Sequence, residues 1–263
     1  MLKYLKLLNI SWQNGFVYRT SVYMWRIRQF LASLMALTIW TVIFADNGSF
    51  DQYSRSEMIT YIFLVAIFQN VILSSVLNGL AQTIYSGKIS YELLKPVNIY
   101  VYLGVQDLAD KLKNVAFIVT ESVILFLMFK PEVIIPSLII IFSVIGLVLM
   151  ATLLNFLISL LFGSLGFWSP DTWAPRFLFY MFVEFTAGRL FPLDILPKLI
   201  QDIVFLTPFP YLSFVQTQLF LGKIPTNEVV NHFAILGGWL ILFTIIVKLV
   251  WSKGLKDYSA TGQ

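Results

Sequence analysis

Two carboxylates stand where carboxylates are costly. Glu121 and Glu184 each lie inside a long apolar run of a 263-residue chain that is 58% hydrophobic and 12% charged. An unpaired charge in hydrocarbon costs on the order of several kcal/mol. A glutamate kept there either serves a substrate path or proton relay, or is protonated or bonded to a neighbour such as Gln69, Asn70 or Asn155. The residues alone leave both readings open. Other chemistry is excluded more firmly. The chain has no cysteine, so it has neither a disulfide framework nor a thiolate metal site. Its single histidine, His232, cannot build a zinc site or a catalytic triad, and an interfacial hydrogen-bonding role suits it better. No G-x-x-x-x-G-K-[ST] segment occurs: the Gly-Lys pairs at Gly87 and Gly222 lack the upstream glycine and the following hydroxyl. No catalytic residue, metal ligand set or nucleotide loop emerges, so the chain reads as a non-enzyme.

The elements that must position these groups are membrane helices. A mean hydropathy of +0.81, with 24 Phe and 7 Trp, exceeds what a water-soluble globule of this length can hide. The net charge of +4 then reads as the cationic flanks of spans and not as a nucleic-acid surface. The first apolar run begins near Phe30, after five basic residues and with no small-residue cleavage pattern behind it, so no cleavable signal peptide is expected. Crossing a hydrocarbon core of about 30 Å takes roughly 20 apolar residues. Six stretches qualify, at about 28–45, 58–85, 112–129, 137–164, 173–189 and 231–251. If the N-terminus is inside, Arg55, Lys130, Arg189, Lys198 and Lys223 fall outside and the remaining 13 of the 18 basic residues fall inside. The positive-inside rule therefore predicts cytoplasmic termini.

Three segments do not span. Residues 1–20 place Leu5, Leu8 and Trp12 on one helical face, with Lys3, Lys6, Asn9 and Gln13 roughly opposite, which predicts an interfacial helix on the inner leaflet. Residues 86–100, "SGKISYELLKPVNIY", gather Lys88, Glu92 and Lys95 in a cytoplasmic strip broken by Pro96. Residues 188–212 predict an outer re-entrant or interfacial hairpin, with Asp194 capping a helix of about 12 residues that Pro208 and Pro210 terminate. No internal repeat or soluble domain is evident, so residues 1–263 read as one all-α integral-membrane domain.

Several stretches resemble permeases of the ABC type-2 transporter family, the membrane subunits of ATP-driven exporters. They are "YSRSEMITYIFL", "SGKISYELLKPVNIYVYLGVQDLADK", "FTAGRLFPLDILPKLIQDIVFLTPFPYL" followed by "QLFLG", and "LVWSKGLKDYSATG", in that order along nearly the whole chain. The resemblance implies a type V exporter-like half-transporter in a bacterial inner membrane. It would have an elbow helix, six spans, a coupling helix at 86–100 and an outer re-entrant region. Its implied partners are separate ABC ATPase subunits, a second permease subunit (a sibling or a copy) and membrane lipids, with no nucleic acid. ATP and Mg are implied only on the ATPase. In the strip, Ile89, Leu93 and Leu94 would anchor in an ATPase groove, Glu92 and Lys95 would orient the contact, and Pro96 would turn the chain back. Glu121, Glu184, Gly188 and Arg189 are the candidates for the translocation path. The rival readings are an ion-driven secondary transporter using Glu121 or Glu184, and a membrane scaffold without transport.

Overall fold

The computed structural model describes residues 2–46, 49–50, 52–133 and 135–258. The tail motif beyond Tyr258 lies outside them. Helix α1 (Leu2–Asn14) leads into α2 (Arg19–Asp46), a two-stranded hairpin of β1 (Ser49–Phe50) and β2 (Tyr53–Ser54), and α3 (Arg55–Ile72). Short α4 (Leu80–Tyr85) and α5 (Ile89–Leu93) precede the long α6 (Ile99–Phe129) and α7 (Leu138–Ser164). After α8 (Trp173–Thr186) come α9 (Lys198–Phe205), α10 (Phe214–Phe220) and α11 (Val229–Asp257). Among the described residues, five helices are long and apolar enough to cross a membrane: α2, α3, α6, α7 and α11. In each, the helix satisfies its own backbone, which lipid cannot do.

The first expected span begins earlier, at Arg19, the last runs on to Asp257, and the second, third and fifth differ in ways that bear on the architecture. The second, expected over 58–85, stops at Ile72. Ser75 gives the backbone an alternative partner, accepting from Leu77 N–H at 3.2 Å while donating to Asp107 at 2.7 Å. The carbonyls of Ile72 and Ser74, orphaned by the break, accept hydrogen bonds from the buried Lys111 ammonium. The third, expected to begin at 112, starts at Ile99, where Asn98 caps the first turn through its side chain. Its early charges pair along the helix, Lys111 with Asp107 and Lys113 with Asp110, so they do not end it. The result has 31 residues, or about 46 Å, well beyond a hydrocarbon core of about 30 Å. The fifth, expected over 173–189, is a helix of 14 residues, only about 21 Å long.

The predicted outer helix also differs. Asp194 does not cap it: Pro197 occupies that position, and α9 has eight residues. Asp194 sits in a preceding single turn, where its carboxylate accepts from Tyr53 Oη at 2.7 Å and Gln218 Nε2 at 2.8 Å. This ties the β hairpin to α10. Burial and the Asp194 carboxylate push the Tyr53 phenol pKa far up, so it remains a hydrogen-bond donor. The terminal helix α1 packs on α6, but the stripe it turns inward is Tyr4, Leu7, Leu8, Ser11 and Trp12, leaving Leu5 exposed. Leu8 and Trp12 lie on the expected face, and Leu5 alone departs from it.

The core has two parts. The larger surrounds α3, α7 and α10, with Tyr61, Leu147, Leu154, Tyr211 and Phe214 buried in it. The smaller lies at the end carrying α4 and α5 and includes Leu77, Ile84, Ile89, Phe167 and Trp251. Two polar contacts fix the end of α11 there: Trp168 Nε1 to Asp257 at 3.1 Å, and Tyr258 Oη with Ser90 Oγ at 3.0 Å.

Candidate functional site

A cleft of about 1140 Å³ lies between α8 and the packed pair α2 and α3. Gln69 and Asn70 on α3, with Asn78 in the turn before α4, make one side polar, while Trp25, Trp173, Phe177 and Met181 supply apolar walls. Four guanidinium groups, from Arg26, Arg28, Arg176 and Arg189, meet two carboxylates, from Asp171 and Glu184. A membrane chain this apolar does not gather six charged side chains around one cleft for packing.

The first of the two glutamates finds a partner that the sequence reading did not name. Glu121 on α6 accepts both Nε (2.8 Å) and Nη2 of Arg26 on α2, a bidentate pair. Arg26 Nη1 also reaches Asn70 at 3.2 Å and Asn114 at 3.3 Å, and the Phe117 ring lies beneath the guanidinium. This network joins three helices. It puts Arg26, and not Glu121, on the cleft wall. Glu184 pairs with Arg189, and both line the cleft at the end nearest the β hairpin. Both glutamates are thus ion-paired, so neither is a free carboxylate.

Gly188 does not line the cleft. It forms the left-handed turn after α8, with φ +73°, and its carbonyl accepts from the buried Tyr61 Oη at 2.5 Å. Trp40 Nε1 donates to Leu190 O at 3.1 Å just beyond. The turn is thereby fastened to α2 and α3. His232 meets Tyr211 Oη through Nδ1 at 3.1 Å, the hydrogen-bonding contact expected of it.

The 86–100 strip lies at the opposite end. Its side chains divide sharply. Ile89, expected as an anchor, is fully buried in the smaller core and is not available at the surface. Leu94 is 83% exposed and Tyr91 74%, with Leu93 beside them. Glu92 and Lys95 pair at 2.5 Å, which holds the lysine pKa above its ordinary value. Lys95 also donates to Tyr102 Oη at 3.1 Å, and Pro96 O accepts from Lys3 Nζ at 3.2 Å, binding the strip to α6 and α1.

Sequence reasoning missed Arg26, Arg28 and Arg176 as cleft residues because it counted them only as flanking charge. A usable signal existed: Arg26 and Arg28 stand in "YMWRIRQF", an aromatic-rich stretch that continues the helix and does not precede it.

Membrane-length helices around a charged cleft define a multi-pass membrane protein of transport type. The family of ABC-2 family transporter proteins matches residues 30–262, and the chain belongs to that family. It is therefore the membrane component of an ABC transporter, a class that works with an ABC ATPase. No curated protein matches the chain.

Proposed function

We propose that this chain is the permease subunit of an ATP-driven exporter, forming half of a translocation path and taking its energy from separate ATPase subunits. The cleft between α2, α3 and α8 carries the reading, because it supplies a charged surface inside an otherwise apolar bundle. A second permease subunit completes the path on its open side. The chain crosses the membrane six times with both termini cytoplasmic, and α8 with the turn after it makes the fifth crossing. The contact between Trp168 and Asp257 supports that count. It puts the ends of α7 and α11 on one side, so the intervening chain must return to the other side before α11 begins. ATP and Mg belong to the partner. The 86–100 strip docks on it through Leu93 and Leu94, with Tyr91 beside them and Glu92 and Lys95 orienting the contact. Residues 188–212 cover the outer end.

The test is co-purification. Tagged chain extracted from its own membranes should bring down a nucleotide-hydrolysing ATPase in defined stoichiometry, and the pair in liposomes should hydrolyse ATP. A chain that purifies with no ATPase under several mild detergents refutes the reading.

A further inference from the structure

The cleft's charges do not cancel. Arg26 is matched by Glu121 and Arg189 by Glu184. Among the described residues, Arg28 and Arg176 form no ion pair. Arg28 donates to Gln29 at 3.2 Å and lies over the Trp25 ring at 4.2 Å. Arg176 Nη1 donates to Asn78 at 2.8 Å, while its Nη2 is buried with no hydrogen-bond partner. Asp171, the remaining carboxylate, accepts from Trp173 N–H at 2.9 Å and is used in starting α8. A half-buried guanidinium with no counter-charge is costly, and the low dielectric around it strengthens its pull on any anion that arrives. From Arg176 the α8 wall continues into Phe177 and Met181, both partly exposed, and the stacked Trp173–Phe177 pair stands beside it. An anion-binding end therefore adjoins an apolar trough.

We propose that the cleft takes an anionic amphiphile, a molecule with a phosphate- or carboxylate-type head and an aliphatic tail. The head sits between Arg176 and Arg28, and the tail lies along Trp173, Phe177 and Met181. This deepens the exporter reading by naming its substrate class and rests on that reading for the word substrate. A soluble dianion would leave the apolar wall uncovered. A cationic amphiphile would meet two guanidinium groups that hold no ion pair.

The experiment is equilibrium binding to the purified full chain in maltoside micelles, with dodecyl phosphate, dodecyltrimethylammonium and inorganic phosphate as separate probes. Dodecyl phosphate should bind saturably and lose affinity as salt rises. R176Q should weaken it about tenfold or more, the size expected for losing a charge-assisted contact, while R176K should retain most of the affinity. K198Q, which alters an exposed lysine on α9, should leave binding unchanged. If R176Q does not fold, R28Q carries the same test from an exposed position on α2. Equal binding of dodecyltrimethylammonium, equal affinity for inorganic phosphate, or folded arginine variants that bind normally would each overturn the proposal. Binding is read on the isolated chain. Failure to recruit an ATPase would thus sink the exporter reading alone, and failure to bind would leave that reading standing.

Discussion

Gly188 and Gly222 offer a matched pair that separates backbone strain from packing. Both adopt the left-handed conformation, at φ +73° and φ +72°. Gly222 closes α10: its N–H reaches Leu219 O, and Lys223 N–H reaches Gln218 O, the paired bonds of a Schellman end. A Cβ added at Gly222 meets nothing within 4 Å. One added at Gly188 falls 2.6 Å from Tyr61 Oη and 3.0 Å from Phe214 Cδ2. Gly222→Ala should therefore cost only the left-handed penalty, about 1–2 kcal/mol. Gly188→Ala carries the same penalty and must also push Tyr61 away from the carbonyl it serves, leaving a buried polar group unpaired for about 1–3 kcal/mol more. At about 2–4 °C per kcal/mol for a chain of this size, the two variants should melt roughly 5 °C apart, with Gly188→Ala lower. Intrinsic tryptophan fluorescence of the detergent-solubilised protein, heated at one scan rate, measures this. Tyr61→Phe combined with Gly188→Ala should cost less than the sum of the singles, since the shortened ring removes the closest clash. Equal melting of Gly188→Ala and Gly222→Ala would refute the argument that Tyr61 fixes this turn.

Three further outcomes are expected. Glu121→Gln leaves Arg26 charged and buried and should destabilise by about 3–5 kcal/mol, whereas Arg26→Gln with Glu121→Gln should recover much of it; a double variant no more stable than Glu121→Gln would refute the pairing. Leu93→Ala with Leu94→Ala should weaken ATPase retention by about 2 kcal/mol or more without loss of membrane insertion, and Glu92→Lys should act more mildly and mostly at low salt; normal retention by the double alanine variant makes the strip a solvated loop. In intact cells an impermeant thiol reagent should label Lys198→Cys and spare Lys256→Cys, and the reverse pattern would invert the orientation.

Much of the fold was legible because long apolar runs leave the chain no alternative to helices. The uncharged stretch at 137–164 became α7 almost residue for residue. What failed depended on pairings that hydropathy does not reveal. The break after Ile72 needs Lys111 to satisfy its carbonyls, and no property of residues 72–75 announces a lysine on another helix. The early start of α6 follows from Asp107 and Lys111 neutralising each other at four-residue spacing, a pattern visible in the sequence but discounted as flanking charge. Hydropathy marked Glu121 and Glu184 as unusual but pairs no charges: Arg26 lies 95 residues from Glu121, whereas Arg189, only five from Glu184, was already in view but not joined to it. Ile89 was misassigned because an apolar residue in a short exposed segment looks the same whether it faces a partner or its own core.

The contact between α4 and the turn after α7 has a mechanical consequence. At Gly166 an added Cβ would fall 2.5 Å from Ala81 Cα, so the two main chains rest directly on each other. Joints cushioned by long side chains behave as soft springs, because rotamer changes absorb the first fraction of any displacement. Main chain against main chain has no such slack. Gly87, at φ +78°, turns the chain between α4 and α5, Ser90 N–H bonds back to Gly87 O, and Ile89 seats α5 in the smaller core beside Ile84. A shift of α4 is therefore passed to the end of α7 with little slack, and Phe167, edge-on to Trp251 at 5.3 Å in the core that also holds Ile89, hands it to the last helix. Replacing Gly166 by a larger residue would do more than remove a good fit: it would introduce play into a linkage that has none.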